Sequence, residues 1–189
     1  MLSVSTVGAR SRLVHEPEQS QADGLQETFD SFFALERDPV LGLAFALTGD
    51  RAVAEDLVQD AFLEAFRKWD RIAGFDQPGA WVRRVVANMS VSAFRRRRSE
   101  LRMLTQLGAR QDRVVPDLSP TTLAFWQAVR ALPKRQAQVT ALFYLEDRPI
   151  AEIAVILQMA EGTVKKHLHD GRKTLVRTLD LDEVGHGSR

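Results

Sequence analysis

Apolar residues recur at helical intervals from Leu25 to about Arg98 and again over 121–179, and almost nowhere alternate with the two-residue period of a strand. The pattern predicts an all-α protein. Its clearest stripe lies in "RAVAEDLVQDAFLEAFRKW", where Ala54, Leu57, Val58, Ala61, Phe62, Ala65, Phe66 and Trp69 share one helix face. Asp56, Gln59, Asp60, Glu64 and Arg67 fall on the opposite face, and Asp50 in the preceding "TGD" is placed to cap the helix. Two short helices are expected before it, at 25–36 and 39–47. After the loop "DRIAGFDQPG", Pro78 suits the first turn of "GAWVRRVVANMSVSAFRRRR", with Val82, Val85, Val86, Met89 and Ala93 as its apolar stripe.

Residues 99–120 contain Gly108, Pro116 and Pro120 and show weak periodicity. So long a run without elements inside one compact domain is unusual, and it reads as a flexible linker between small helical domains at 25–98 and 121–181. Residues 1–24, polar and aperiodic, are expected to be a disordered tail, and 182–189 a C-terminal tail. The second domain carries four helical segments, at about 121–131, 134–145, 149–158 and 162–179, with Pro133 and Pro149 where helices would start. The last two segments have helix-turn-helix spacing. Ile150, Ile153, Ala154 and Leu157 give the first an inner face, and Val164, Leu168, Gly171 and Leu175 the second. At Gly171 the missing side chain would let two helices approach closely.

Composition narrows the chemistry. Cysteine is absent, which excludes disulfides, thiolate-ligated zinc and a thiol nucleophile in this chain. No apolar run approaches a membrane span and the N-terminus lacks a signal-peptide core, so a cytoplasmic protein is expected. A net charge of +1 says little; the distribution of charge says more.

Two stretches are basic. In "AEGTVKKHLHDGRKTL", inward-facing Val164, Leu168 and Leu175 leave Lys165, Lys166, His169, Arg172 and Lys173 on exposed faces. An isolated basic helix is more often a solvated surface. A scaffold helix and tight turn directly before it favour a recognition helix, which enters the major groove and neutralises phosphates. The second stretch, "WVRRVVANMSVSAFRRRR", holds six arginines and no acid. Arg84, Asn88, Ser92 and Arg95 or Arg96 line up at spacings of three and four. Cations interleaved with Phe75, Trp81 and Phe94 suit unpaired bases, which stack on aromatic faces. Phe94 reads as core, whereas Trp81, at a helix start beside a polar loop, suits burial or stacking equally. The acidic face of the preceding helix would repel nucleic acid; it suits a protein partner or plain solvation.

In these motifs the chain resembles the extracytoplasmic-function (ECF) type of bacterial sigma factor, a specificity subunit of RNA polymerase. "TGDRAVAEDLVQDAFLEAFRKW" is similar to the family's core-binding helix, "AWVRRVVANMSVSAFRRRR" to its promoter-melting helix, and "LPKRQAQVTALFYLEDRPIAEIAVILQMAEGTVKKHLHDGRKTL" to its DNA-binding domain. The resemblance implies that Asp56, Gln59, Asp60, Phe62 and Glu64 face the clamp helices of the polymerase's largest subunit. It implies that Phe75, Asp76, Trp81, Arg84, Asn88, Ser92, Arg95 and Arg96 engage the minus-ten element, where one base is flipped into a loop pocket. Thr163, Lys165, Lys166, His169 and Arg172 would meet the minus-thirty-five element, and the linker would thread toward the polymerase cleft. Core RNA polymerase and promoter DNA are the implied partners, and an anti-sigma factor is a common further one. No catalytic residue, metal or cofactor is implied. The family often has Gly where Gln158 stands, Ser or Thr where Ala160 stands, Arg where Asp170 stands and Asp where Ser92 stands.

Two rivals compete. A stand-alone helix-turn-helix regulator would bind duplex DNA without polymerase, but leaves the arginine–aromatic stretch unexplained. An enzyme would need a site: His167 and His169 are two apart on a helix and diverge, unlike the i, i+4 pair of a zinc helix.

Overall fold

The computed structural model describes the backbone of residues 16–105 and 119–186, and side-chain burial for 28–94, 96 and 119–179. These residues form eight helices and no strand: α1 (Glu16–Thr48), α2 (Arg51–Arg67), α3 (Trp69–Ile72), α4 (Pro78–Thr105), α5 (Pro120–Ala131), α6 (Lys134–Tyr144), α7 (Ile150–Leu157) and α8 (Glu161–His186).

The amino-terminal domain is one long helix against two others. Where two short helices were expected, α1 runs unbroken from Glu16, so residues 16–24 belong to it and not to a tail; residues 1–15 lie outside the described residues. Pro39 sits inside α1 and removes the N–H that would bond Leu35. Leu35 is 74% exposed, so its freed carbonyl lies on the solvent side, while Val40, Leu43 and Ala44 pin the helix to the core. At the end of α1, Thr48 Oγ1 donates back to the Ala44 carbonyl at 2.9 Å. Gly49 turns the chain at φ +69°, and Asp50 Oδ1 accepts from the Val53 N–H at 3.1 Å, the expected N-cap of α2. Phe29, Val58, Phe62, Trp69, Val82 and Val86 join in one core in which Phe29, Phe32, Phe33 and Phe62 pack ring on ring.

In the carboxy-terminal domain, Ser119 caps α5 by accepting from Thr122 N–H at 3.1 Å, with Pro120 in the first turn. The inner faces of α7 and α8 are as the periodicity places them. Ile153, Leu157, Val164, Leu168 and Leu175 are all buried, and Ile156 adds a core residue that the stripe omitted. Gly171 is buried against α6: a Cβ there would stand 3.0 Å from Thr140 Oγ1 and 3.7 Å from Gln136 Cβ.

The boundaries shift at both later termini. α4 continues to Thr105, so the expected linker begins seven residues late, and α8 continues to His186 through most of the expected tail. Residues 106–118 and 187–189 lie outside the described residues. A larger difference from the sequence reading concerns independence. Leu43 and Leu47 of α1 and Ala87 and Val91 of α4 share a single core with Val129, Leu142, Ile153 and Leu168. Burying apolar surface is favourable wherever it is found, and helix periodicity does not say which domain supplies the other half.

Candidate nucleic-acid interface

Three surfaces carry the residues singled out from the sequence. On α2, Asp56, Gln59 and Asp60 are exposed, and half-buried Glu64 pairs with Lys68 one turn on at 2.5 Å. Phe62 differs: at 3% exposure it lies beneath this face, edge-on to Phe33, because its register belongs to the buried stripe. Phe66, expected in that stripe, is instead 44% exposed, and Leu63 is 46% exposed. Both line an open groove between α1 and α2 with Phe29, Phe33, Leu41, Val58 and Phe62, rimmed by Arg37, Glu55 and Gln59. The sequence reading missed this groove. Its signal was Leu63, an apolar residue off the stripe on an otherwise acidic face.

On α4 the apolar stripe is wider than the periodicity implied, because the helix is covered on two sides: Val82 and Val86 face one core, Ala87 and Val91 the other. Arg84, Asn88 and Trp81 are half-buried; Ser92 and Arg96 are exposed, and the Arg95 side chain lies outside the described residues. Lys68 Nζ stands 5.7 Å over the Trp81 ring, and Trp81 also packs against the amino-terminal core, so burial and a cation contact coexist there. In the loop before α4, Phe75 is 38% exposed with Arg71 over its ring at 6.0 Å, and Asp76 is exposed.

Asn88 does not stand free. Gln138 of α6 donates Nε2 to Asn88 Oδ1 at 2.9 Å and to the Ala87 carbonyl at 3.0 Å. One of the six arginines is also buried: Arg83, 3% exposed, donates Nη1 to Glu36 Oε2 of α1 at 2.7 Å and Nε to Glu146 Oε2 of the α6–α7 turn at 2.5 Å. A buried charge is stable only when paired and hydrogen-bonded, and this one is paired across the two domains. The sequence reading counted Arg83 among six arginines and gave it no place of its own.

On α8, Thr163, Lys165, Lys166, His169 and Arg172 are all exposed. At 100° per residue they spread over the arc opposite Val164, Leu168, Gly171 and Leu175. Lys165 approaches Glu161 only at 4.0 Å. Arg172 is held: its Nε donates to the Tyr144 hydroxyl at 2.7 Å and its guanidinium lies 5.1 Å over the Phe143 ring. In the preceding turn Gln158 adopts the left-handed conformation at φ 51°, ψ 57°, which explains why glycine suits that place. Ala160 accepts the first helical N–H groups through its carbonyl with no side-chain cap, from Thr163 at 2.9 Å and Val164 at 3.1 Å. No group of three or more metal-ligating side chains exists among the described residues.

Comparison with known proteins shows the family. Residues 32–100 match the sigma-70 region 2 family and residues 122–175 the sigma-70, region 4 family. The ECF RNA polymerase sigma factor SigL of Mycobacterium tuberculosis is 33% identical over 149 residues, which cover 75% of this chain and 82% of SigL. This chain is an ECF sigma factor. It therefore serves RNA polymerase as a promoter-directing subunit, a regulatory role. SigW of Bacillus subtilis is 26% identical over 82% of this chain and 91% of its own length. Two solved structures share the fold. RpoE from Bartonella quintana, solved with the anti-sigma factor NepR, has a TM-score of 0.63 and 24% identity, covering 82% of this chain and 99% of that one. CnrH, solved with the cytosolic domain of CnrY, has a TM-score of 0.61 and 21% identity, covering 87% and 95%. Among the described residues no helix of this sigma factor is long and apolar enough to cross a membrane.

Proposed function

We propose that this sigma factor docks on core RNA polymerase through the exposed face of α2 and the groove beside it, and reads promoters through α4 and α8. The observation that carries this reading is the division of one small protein into an acidic, groove-bearing face and two cationic helix faces. Asp56, Gln59 and Asp60 stand beside exposed Leu63 and Phe66, the mixture of apolar centre and charged rim that suits a helical protein partner. The clamp helices of the largest polymerase subunit are the proposed occupant. Phe75, Asp76, Trp81, Arg84, Asn88, Ser92, Arg95 and Arg96 take the minus-ten element, where Phe75 offers a ring to an extruded base. Thr163, Lys165, Lys166, His169 and Arg172 take the minus-thirty-five element from the major groove.

Cytoplasmic placement follows from that partner. RpoE was solved with the anti-sigma factor NepR, and a protein of that class is proposed as a regulator here too. The deciding experiment is co-elution of the purified chain with core polymerase, beside a duplex-DNA shift without polymerase. Tight core binding with little free duplex binding is expected. Strong duplex binding with no core association would instead make the chain a stand-alone regulator.

A further inference from the structure

The end of α6 carries an aromatic shelf beside α8. Tyr144 stands edge-on to two rings, its centroid 5.9 Å from that of Phe125 in α5 and 5.1 Å from that of Phe143. Phe125 is in turn edge-on to Trp126 at 5.1 Å, and Phe125, Trp126 and Phe143 all pack against the carboxy-terminal core. Tyr144 itself is 46% exposed. The shelf thus fixes a ring whose polar tip reaches the surface.

Arg172 of α8 lies across this shelf. Its guanidinium carbon stands 5.1 Å from the Phe143 centroid and 5.5 Å from the Tyr144 centroid, and its Nε donates to the Tyr144 hydroxyl oxygen at 2.7 Å. That bond uses one of the five guanidinium hydrogens and a lone pair of the hydroxyl. The Nη hydrogens of Arg172 and the hydroxyl hydrogen of Tyr144 have no acceptor among the described residues. Lys165, His169 and Arg172 follow one another along α8 at spacings of four and three, so they share one exposed face. Arg172 sits roughly 10 Å beyond Lys165 along the axis. A recognition helix reads base edges with its N-terminal residues, and its far end meets the sugar–phosphate backbone.

Resting on the assignment of α8 to the minus-thirty-five element, we propose that Tyr144 and Arg172 form one clamp for a single backbone phosphate of that duplex. Arg172 supplies the charge through its Nη fork. Tyr144 is the positioning residue: it accepts from Nε, fixes the plane of the fork and donates its own O–H to the same phosphate. A planar guanidinium matches phosphate geometry, and charge-assisted bonds are stronger than neutral ones. A free arginine must be ordered on binding, whereas this one is already held, which lowers the entropic cost of the contact. Nucleic acid is the partner because the clamp continues the cationic line of Lys165 and His169.

Reconstituted holoenzyme, with a promoter duplex that it selects from a random pool, tests the clamp. Tyr144→Phe keeps the ring and removes the hydroxyl; it should weaken promoter binding about 3–10-fold. Arg172→Ala should weaken binding and lower the slope of log K against log salt by about one. In the Arg172→Ala background, Tyr144→Phe should change affinity by less than about twofold, because the two residues act on one phosphate. Replacing single phosphates around the minus-thirty-five element by uncharged methylphosphonate should locate one position that weakens binding of the wild type but not of Arg172→Ala. A purely structural Tyr144 would lose as much in both backgrounds and reveal no such phosphate, and that result overturns the clamp. Replacing both Lys165 and Lys166 by Ala is the control for the helix. If that change weakens binding while Tyr144→Phe and Arg172→Ala do not, α8 stands and the clamp alone is overturned. If none of these variants alters promoter binding, the assignment of α8 falls and the clamp falls with it.

Discussion

Gln138 Nε2 lies 2.9 Å from Asn88 Oδ1, joining the middle of α6 to the middle of α4. The amide orientation is set by its other partners, since Oε1 accepts from Arg135 at 3.1 Å while Nε2 also reaches the Ala87 carbonyl. Asn88, proposed above to read the minus-ten element, thus accepts a hydrogen bond within the chain.

Replacing Asn88 by Ala should separate these roles. Binding to core polymerase is expected to persist, because α2 is untouched, while strand opening falls. Permanganate footprinting of unpaired thymines measures the opening directly. A normal footprint in Asn88→Ala would remove Asn88 from the minus-ten set.

Lys165 and Lys166 project from α8 with no close acidic partner, Glu161 reaching Lys165 only at 4.0 Å. Replacing both by Ala should weaken holoenzyme–promoter complexes and reduce the slope of log K against log salt by about two, one for each lost phosphate contact. Filter binding across a salt series gives the slope, and an unchanged value would place both lysines off the backbone.

Gln158 holds a left-handed conformation at φ 51°, which costs a non-glycine residue about 1–2 kcal/mol. Gln158→Gly is expected to raise stability by about 0.5–1 kcal/mol, after part of the gain is lost to the greater freedom of glycine in the unfolded chain. Thermal unfolding followed by circular dichroism should show the rise. A fall would mean that the Gln158 side chain contributes something its exposure conceals.

Two glycines of α8 predict opposite tolerances. A Cβ at Gly171 meets Thr140 Oγ1 at 3.0 Å, whereas one at Gly162 meets nothing within 4 Å. Gly171→Val should cost about 1–3 kcal/mol through overpacking between α6 and α8, and Gly162→Val should be close to neutral. Urea midpoints of the two variants make the comparison, and equal losses would contradict the close approach.

Much of this was legible in the order of residues. The Asp50 cap, the inner stripes of α7 and α8 and the outward arc of Lys165, Lys166 and His169 all depend on near neighbours in the chain. The left-handed turn at Gln158 was legible only through the resemblance, as a place where glycine is frequent. Continuity of α1 through Pro39 was not legible, because a proline ends or bends a helix unless its freed carbonyl can reach water, and that depends on which side the core lies.

The sequence by itself determined an all-helical chain with one acidic and two basic faces, because helical period and charge are local properties that survive any arrangement of the helices. Only the tertiary structure decided which apparent surface residues are free. Arg83 reads like its neighbour Arg84 until Glu36, 47 residues before it, and Glu146, 63 residues after it, close on its guanidinium. Phe66 reads as core until α1 leaves one side of it open as the wall of a groove. Burial and pairing are set by chain segments far apart in sequence, and no local period encodes which of them will meet.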